Sequence, residues 1–89
     1  MPEIDAWLGL SFRMYFFDIQ QHAQPHVHVC YGEYELVIAI QSGENLAGYL
    51  PSRQRRRAEQ HIKKHRVQLL AMWGLAVIGV NPGKLGAIC

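Results

Sequence analysis

Hydrophobic and polar residues alternate along most of the first half of the chain, and this pattern predicts β-strands. The predicted strands lie at about residues 8–17, 26–31, 34–40 and 46–50. In the second half, apolar residues return every three or four positions between Ala58 and Ala76. This period predicts one continuous helix over about residues 53–78, with Ser52 as its N-cap and Gly74 as its weakest point.

The second and third strands are predicted to pair as a hairpin, because Gly32 and Glu33 between them suit a two-residue type II′ turn. With Tyr31 opposite Tyr34, one face of the hairpin is apolar and carries Val27, Val29, Tyr31, Tyr34, Leu36 and Ile38. The other face carries His26, His28, Cys30 and Glu35. We expect the apolar face to pack against the helical stripe that contains Ile62, Leu69 and Trp73.

Together these elements predict one α+β domain over residues 1–89, an antiparallel sheet of three to four strands packed on one long C-terminal helix. A hydrophobic fraction of 49% with 18% charged residues favours a compact fold over disorder. No apolar run is long enough to span a membrane, and acidic Glu3 and Asp5 stand where a signal peptide carries positive charge. Two cysteines provide no disulfide framework, so we expect a cytoplasmic protein without membrane contact.

Charge is distributed unevenly, and this changes the functional picture. Residues 1–50 carry six acids and one base, whereas residues 51–89 carry eight bases and one acid. Six of these bases lie in the first half of the predicted helix: Arg53, Arg55, Arg56, Arg57, Lys63 and Lys64. Cations in a first helical turn oppose the helix dipole, and such local conflicts are typical of functional surfaces. We predict that this cluster binds nucleic-acid phosphates or an acidic partner, unless Glu44 or Glu59 neutralises it as a solvated face.

The histidines are densest between His22 and His28. Strand alternation places His26 and His28 side by side, about 7 Å apart, on the face that also carries Glu35. A base, an acid and a cation on one solvated sheet face suit metal-independent cleavage of a phosphodiester. The candidate catalytic residues are therefore His26, His28, Glu35 and Arg13.

Other interpretations of the histidines stay open. His22, His26 and His28 are candidate ligands of a metal ion, and His61 and His65, one helical turn apart, have a spacing that also suits a metal. The plainest alternative is that the histidines cover the core or contact a partner. No cofactor is expected, and the sequence leaves open whether the protein is an enzyme.

Several short motifs resemble a known bacterial family. They are Met1-Pro2-Glu3-Ile4, Arg13-Met14-Tyr15-Phe16, Pro25-His26-Val27-His28-Val29, Tyr31-Gly32-Glu33-Tyr34-Glu35, Leu50-Pro51 and His65-Arg66-x-x-Leu69-Leu70-x-x-Trp73. Their order and spacing resemble the family called Domain of Unknown Function 4160. The family's usual Pro-Pro-His-Phe-His is similar to Gln24-Pro25-His26-Val27-His28, which keeps both histidines. Its usual His-Arg-Asp/Glu-Glu-Leu-Leu corresponds to His65-Arg66-Val67-Gln68-Leu69-Leu70, which lacks the acids.

The resemblance implies a biological setting more than a mechanism. Members of this family are small proteins, often encoded beside another small domain in pairs that look like toxin–antitoxin modules. The resemblance therefore implies a protein that acts through interaction with a small protein encoded by an adjacent gene, with self-association as a further option. An RNA-binding or metal-independent RNA-cleaving toxin that uses His26 and His28 is the alternative function, and metal binding is the third.

Overall fold

A computed structural model describes residues 3–14, 24–80 and 83 of the chain. The described strands are β1 Glu3–Trp7, β2 Leu10–Arg13, β3 His26–Tyr31, β4 Tyr34–Ala39 and β5 Asn45–Gly48, and the helices are α1 Ser52–Lys64 and α2 Arg66–Val77. The strands form one antiparallel sheet in the order β1-β2-β3-β4-β5. The α+β class is confirmed, but the sheet has five strands rather than three to four, and the helical region is divided in two.

The extra strand results from a turn that the alternation pattern concealed. Leu8 and Gly9 both have positive φ, at 52° and 81°, and they connect Trp7 to its partner Leu10 in a two-residue hairpin. Positive φ at both central positions is typical of a type I′ turn. Because Leu8 looks like a strand residue, the sequence predicted a single strand over 8–17. Residues 15–17 of that prediction lie outside the described part of the chain.

The hairpin of β3 and β4 has the predicted register, with Tyr31 opposite Tyr34 and His28 opposite Val37. A type II′ turn requires a positive φ at its first central residue and a negative φ at its second. Gly32 has a φ of 57° and Glu33 does not have a positive φ, so the turn fits this type. The register follows from turn chemistry and side-chain alternation, which are both local properties of the sequence.

The core lies between the apolar face of the sheet and the two helices. It contains Val27, Val29, Leu36 and Ile38 from the hairpin, together with Ala58, Ile62, Leu69, Met72, Trp73 and Ala76 from α1 and α2. The predicted packing of these two surfaces is therefore confirmed. Tyr34 is the exception, because this residue at the turn is exposed rather than covered by a helix.

The helical region breaks at His65, which has φ −108° and ψ 21°, rather than at Gly74. His65 is bonded to both helices, because its amide donates to the carbonyl oxygen of His61 at 3.1 Å and its own carbonyl oxygen accepts from the Leu69 amide at 2.9 Å. The apolar stripe also continues across the break, which is why periodicity predicted one helix. Pro51, not Ser52, is the N-cap of α1, and no side chain among the described residues caps the helix. Neither described helix combines the length and apolar character of a membrane span.

Gly48 provides a test of the close contact between β5 and β4. Its φ is 89°, and a Cβ atom there would lie 2.1 Å from the carbonyl oxygen of Glu35. We expect Gly48→Ala to lower the free energy of unfolding by about 3 kcal/mol, because a positive-φ strain and a backbone clash add. Gly43→Ala is the matched control, since Gly43 has a φ of 76° but no atom of the described residues would lie within 4 Å of a Cβ there. Gly43→Ala should lower the free energy of unfolding by about 1 kcal/mol. If urea denaturation shows equal losses for Gly43→Ala and Gly48→Ala, the predicted backbone clash at Gly48 is contradicted.

Candidate functional site

The six cations of the predicted cluster all lie on α1, but the helix divides them between two sides. Arg57 and Lys64 follow Arg53 by four and eleven residues, so these three side chains align on the side away from buried Ala58 and Ile62. Arg56 and Lys63 flank this line. We call these five residues the basic face: Arg53, Arg56, Arg57, Lys63 and Lys64.

Arg55 belongs to a different surface. Together with Tyr49 and Asn45 it lines a cleft of about 250 Å³ between α1 and β5. The predicted group of four arginines is therefore not one continuous patch. Three of them point outward, and the fourth lies beside the edge strand of the sheet.

Neither acid that was expected to neutralise the cluster does so. Among the described residues, none of the cations of α1 takes part in an ion pair. Glu59 accepts a hydrogen bond from Asn45 Nδ2 at 3.1 Å, and the backbone amide of Glu44 is bonded to Ser42 Oγ. The first turn of α1 also contains no acidic residue. The basic face thus remains electrostatically uncompensated within the part of the chain that the structure describes.

The sheet brings the four candidate catalytic residues together, and the rings of His26 and His28 lie edge to face as neighbours, with centroids 5.3 Å apart. Arg13 on β2 lies directly opposite His28 on β3, and His28 Nδ1 is 2.9 Å from Glu35 Oε2. The carboxylate can therefore accept the Nδ1 proton and orient the imidazole. Arg13 Nε also donates to Ser11 Oγ at 3.2 Å, which fixes the guanidinium on the same face.

His26 occupies a different environment from the one predicted. It is only 1% exposed, its ring centroid lies 4.8 Å from that of Trp73, and its Nδ1–H donates to the carbonyl oxygen of Gln24 at 2.9 Å. The expectation of a solvated position is wrong, because Trp73 of α2 packs against the start of β3. An acid–base pair of His26 and His28 would need both rings to reach one phosphate, and the burial of His26 opposes this. The catalytic role itself stays a prediction.

The metal interpretation gains no support from the described residues. His22 lies outside them, and within them no group of three or more His, Cys, Asp or Glu side chains could hold a metal ion. Burial raises the pKa of the Cys30 thiol, Glu35 raises that pKa further, and Arg13 partly offsets the shift. Because the thiolate is the form that binds metals and attacks electrophiles, Cys30 is a poor ligand and a poor nucleophile.

A second polar cluster, not predicted from the sequence, joins β1 to α1. His61 Nε2 donates to Asp5 Oδ2 at 2.5 Å. The ring of Trp7 lies parallel to that of His61, with centroids 4.7 Å apart and planes 11° apart. Phe12 packs on the same imidazole at 4.8 Å. His61 is therefore packed and hydrogen-bonded on several sides, and its ring also lies edge to face with that of His65, with centroids 4.6 Å apart. The two imidazoles are neighbours as their spacing predicted, but no third His, Cys, Asp or Glu among the described residues completes a metal site with them.

A cleft of about 210 Å³ lies beside this cluster and is lined by Trp7, Gln60, His61 and Lys64. Lys64 also belongs to the basic face, so the cleft and the basic face are continuous. Trp7 is 37% exposed, although its side chain is large and apolar. No pattern in the sequence indicates this cleft, because Asp5 and His61 are 56 residues apart and β1 was not predicted.

His65 gives the stability of the fold a pH dependence. Burial lowers the pKa of its imidazole below the ordinary value of 6.5, and His61 and Lys64 lower that pKa further against the raising effect of Asp5. The folded protein therefore takes up a proton at His65 less readily than the unfolded chain does. The contribution of His65 to the free energy of unfolding is therefore fully present above the ordinary imidazole pKa. This contribution declines as the pH falls through and below that value.

We expect the wild type to lose stability between pH 7.5 and pH 5, and His65→Gln to remove part of that loss. Glutamine keeps a polar side chain but cannot take up the proton. The measurement is the urea midpoint of both proteins across this range, each compared with its own value at pH 7.5. Parallel pH profiles for the two proteins would show that His65 does not contribute.

Comparison with known proteins places the chain in a family without assigning it an activity. No curated protein and no solved structure matches it. The sequence model of a family described as Domain of unknown function (DUF4160) matches residues 9–74, which include the β3–β4 hairpin, the whole of α1 and most of α2. Because this match covers well over half of the sequence, the chain belongs to the DUF4160 family.

Proposed function

We propose that this protein binds RNA and that the basic face of α1 contacts the phosphates. One observation carries the proposal: the five cations of the basic face, four of them exposed and Arg57 half-buried, have no ion pair among the described residues. Arginines near the start of a helix oppose its dipole, at about 0.3–1 kcal/mol each when exposed at low salt. Bound phosphates would offset that cost and supply the missing negative charge.

The dimensions of α1 suit a nucleic-acid backbone. A helix of 13 residues is about 20 Å long, and the basic face extends from its first turn to its last. The cations therefore form an extended line rather than a compact pocket for one small anion. Such a line favours the repeated phosphates of a nucleic-acid backbone as its ligand. It also predicts that the affinity for RNA falls steeply as the salt concentration rises.

Binding is better supported than cleavage. His28, oriented by Glu35 and opposite Arg13, keeps a base and a cation together on the sheet. The second imidazole of the expected pair, that of His26, is buried against Trp73. We therefore propose RNA binding without a cleavage step.

The triple variant Arg53→Gln, Arg57→Gln and Lys64→Gln tests the basic face. We expect it to bind a 5′-labelled single-stranded RNA octamer at least tenfold more weakly at 50 mM salt. The slope of log K against log salt should fall by about 2, since three phosphate contacts each contribute about 0.7 for a single strand. Fluorescence anisotropy over a salt series measures both quantities.

Two controls separate charge at this face from general charge and from folding. Arg53→Lys, Arg57→Lys and Lys64→Arg keeps all three charges and should bind like the wild type. Arg55→Gln removes one charge from the β5 side of α1 and should weaken binding less than Arg57→Gln does. The thermal unfolding midpoint of the triple glutamine variant should be nearly unchanged, because the unfavourable dipole interaction removed at Arg53 in the first turn is offset by the favourable one lost at Lys64 in the last turn. Undiminished RNA binding by that variant would refute the proposed surface.

A second candidate function is protein interaction within a toxin–antitoxin-like pair, and the outer face of α2 favours it. Val67 and Ile78 are 85% and 71% exposed, and Ala71 and Gly74 continue the same helical line between them. No charged residue occurs over positions 67–80. A contiguous exposed apolar surface of this kind is typical of protein contacts. The proposed occupant is the small protein encoded by the adjacent gene.

Co-expression of the two proteins tests this second candidate. Val67→Ser combined with Ile78→Ser should reduce co-purification of the adjacent gene's product at least tenfold, because both side chains would lose apolar contact with the partner. Tyr49→Ser, which alters an exposed apolar residue beside β5, is the control and should leave the complex intact. Equal recovery of the partner with both variants would exclude the α2 surface as the binding site. If light scattering shows that the protein alone forms dimers, the surface serves self-association instead.

A further inference from the structure

We propose that the cleft beside Trp7 is a nucleobase-binding site, in which one unstacked base of single-stranded RNA lies on the indole ring. The proposal rests on RNA binding by the basic face and extends it, because it specifies which part of the RNA enters the cleft. It assigns a role to a cluster that the phosphate-binding surface does not by itself require.

The first argument is the arrangement of the rings. Trp7 stacks on His61 with planes 11° apart, so one face of the indole is occupied and supported. His61 is held in turn by Asp5 and by Phe12. The indole is therefore held on one face by His61, while Trp7 as a residue is 37% exposed and lines the cleft. An immobilised aromatic ring with a free surface can stack a base at little further cost in side-chain entropy.

The second argument is the chemistry of the cleft walls. Gln60 offers an amide donor and an amide acceptor, which are the groups that pair with the edge of a base. Lys64 contributes a cation at the same wall and also belongs to the basic face. A strand whose phosphates follow the basic face would therefore pass directly over the cleft. The stacking ring, the polar edge and the phosphate cation lie together.

The third argument is the size of the cleft and the single-stranded state of the RNA that could enter it. A volume of about 210 Å³ is smaller than the roughly 300–1,000 Å³ of pockets that enclose a whole small molecule, which fits one base of a longer chain. Bases within a duplex are already stacked on their neighbours and present only their edges. An aromatic ring can accept a base only where the strand is single. The expected ligand is single-stranded RNA rather than a duplex.

Two oligonucleotides separate base binding from phosphate binding without any change to the protein. One is a uridine octamer, and the other is an octamer of the same length and charge whose central positions lack bases. The wild type should bind the uridine octamer about tenfold more tightly, which corresponds to about 1.4 kcal/mol and lies within the range for one stacked base. Uridine octamer binding should also quench tryptophan emission. Trp73 is buried against His26, so Trp7 is the indole that a bound base can reach.

Variants of Trp7 then locate the effect. Trp7→Leu should abolish the preference for the uridine octamer while leaving the affinity for the octamer without bases unchanged. Trp7→Phe, which keeps an aromatic face, should retain most of the preference but lose the quenching. Circular dichroism shows that each variant is folded.

The outcomes distinguish this site from the proposed function. If both octamers bind the wild type equally and tryptophan emission does not change, the base-binding site is refuted and RNA binding by the basic face stands. If neither octamer binds at low salt, the proposed function fails, and the cleft proposal fails with it. Equal base preference in the wild type and Trp7→Leu would also overturn the assignment of the stacking ring.

Discussion

Helix α1 buries only Ala58 and Ile62, and this narrow apolar stripe determines where all its other side chains lie. With the stripe against the sheet, one flank of the helix meets β1 and the other meets β5. His61 therefore reaches Asp5 on one side, while Glu59 reaches Asn45 on the other. The basic face is what remains, on the outside. A partly exposed ion pair contributes only about 0–1 kcal/mol to stability. Burial of the apolar stripe therefore holds α1 on the sheet, and the polar contacts determine the rotation of α1 about its own axis.

The local parts of the fold were predictable from the sequence, and the parts that depend on distant contacts were not. Alternation and Gly32 determine the β3–β4 hairpin over a few residues, so its register could be predicted before the structure. The turn at Leu8 and the break at His65 could not, because neither interrupts the hydrophobic pattern. A leucine with positive φ is stable only when the strands on both sides hold it.

The candidate sites divide in the same way. Alternation placed His28 and Glu35 on one sheet face, and the antiparallel pairing of β2 with β3 added Arg13. The burial of His26 depends on Trp73, which is 47 residues further along the chain and packs there only after α2 has docked. The cleft beside Trp7 depends on an equally distant contact, so strand and helix patterns carry no information about it. Surfaces made by one element are readable from sequence, whereas clefts between elements are not.

The two helices present opposite chemistries to solvent, and this difference separates the two proposed partners. An RNA phosphate beside Val67 would lose water without gaining a cation, which is unfavourable. An apolar protein surface pressed on the basic face would desolvate several charges without pairing them, which is also unfavourable. The change from one chemistry to the other occurs at His65, where the helix breaks. Because the basic face ends there and the apolar line begins just beyond it, an RNA strand and a protein partner would occupy successive helices rather than compete for one.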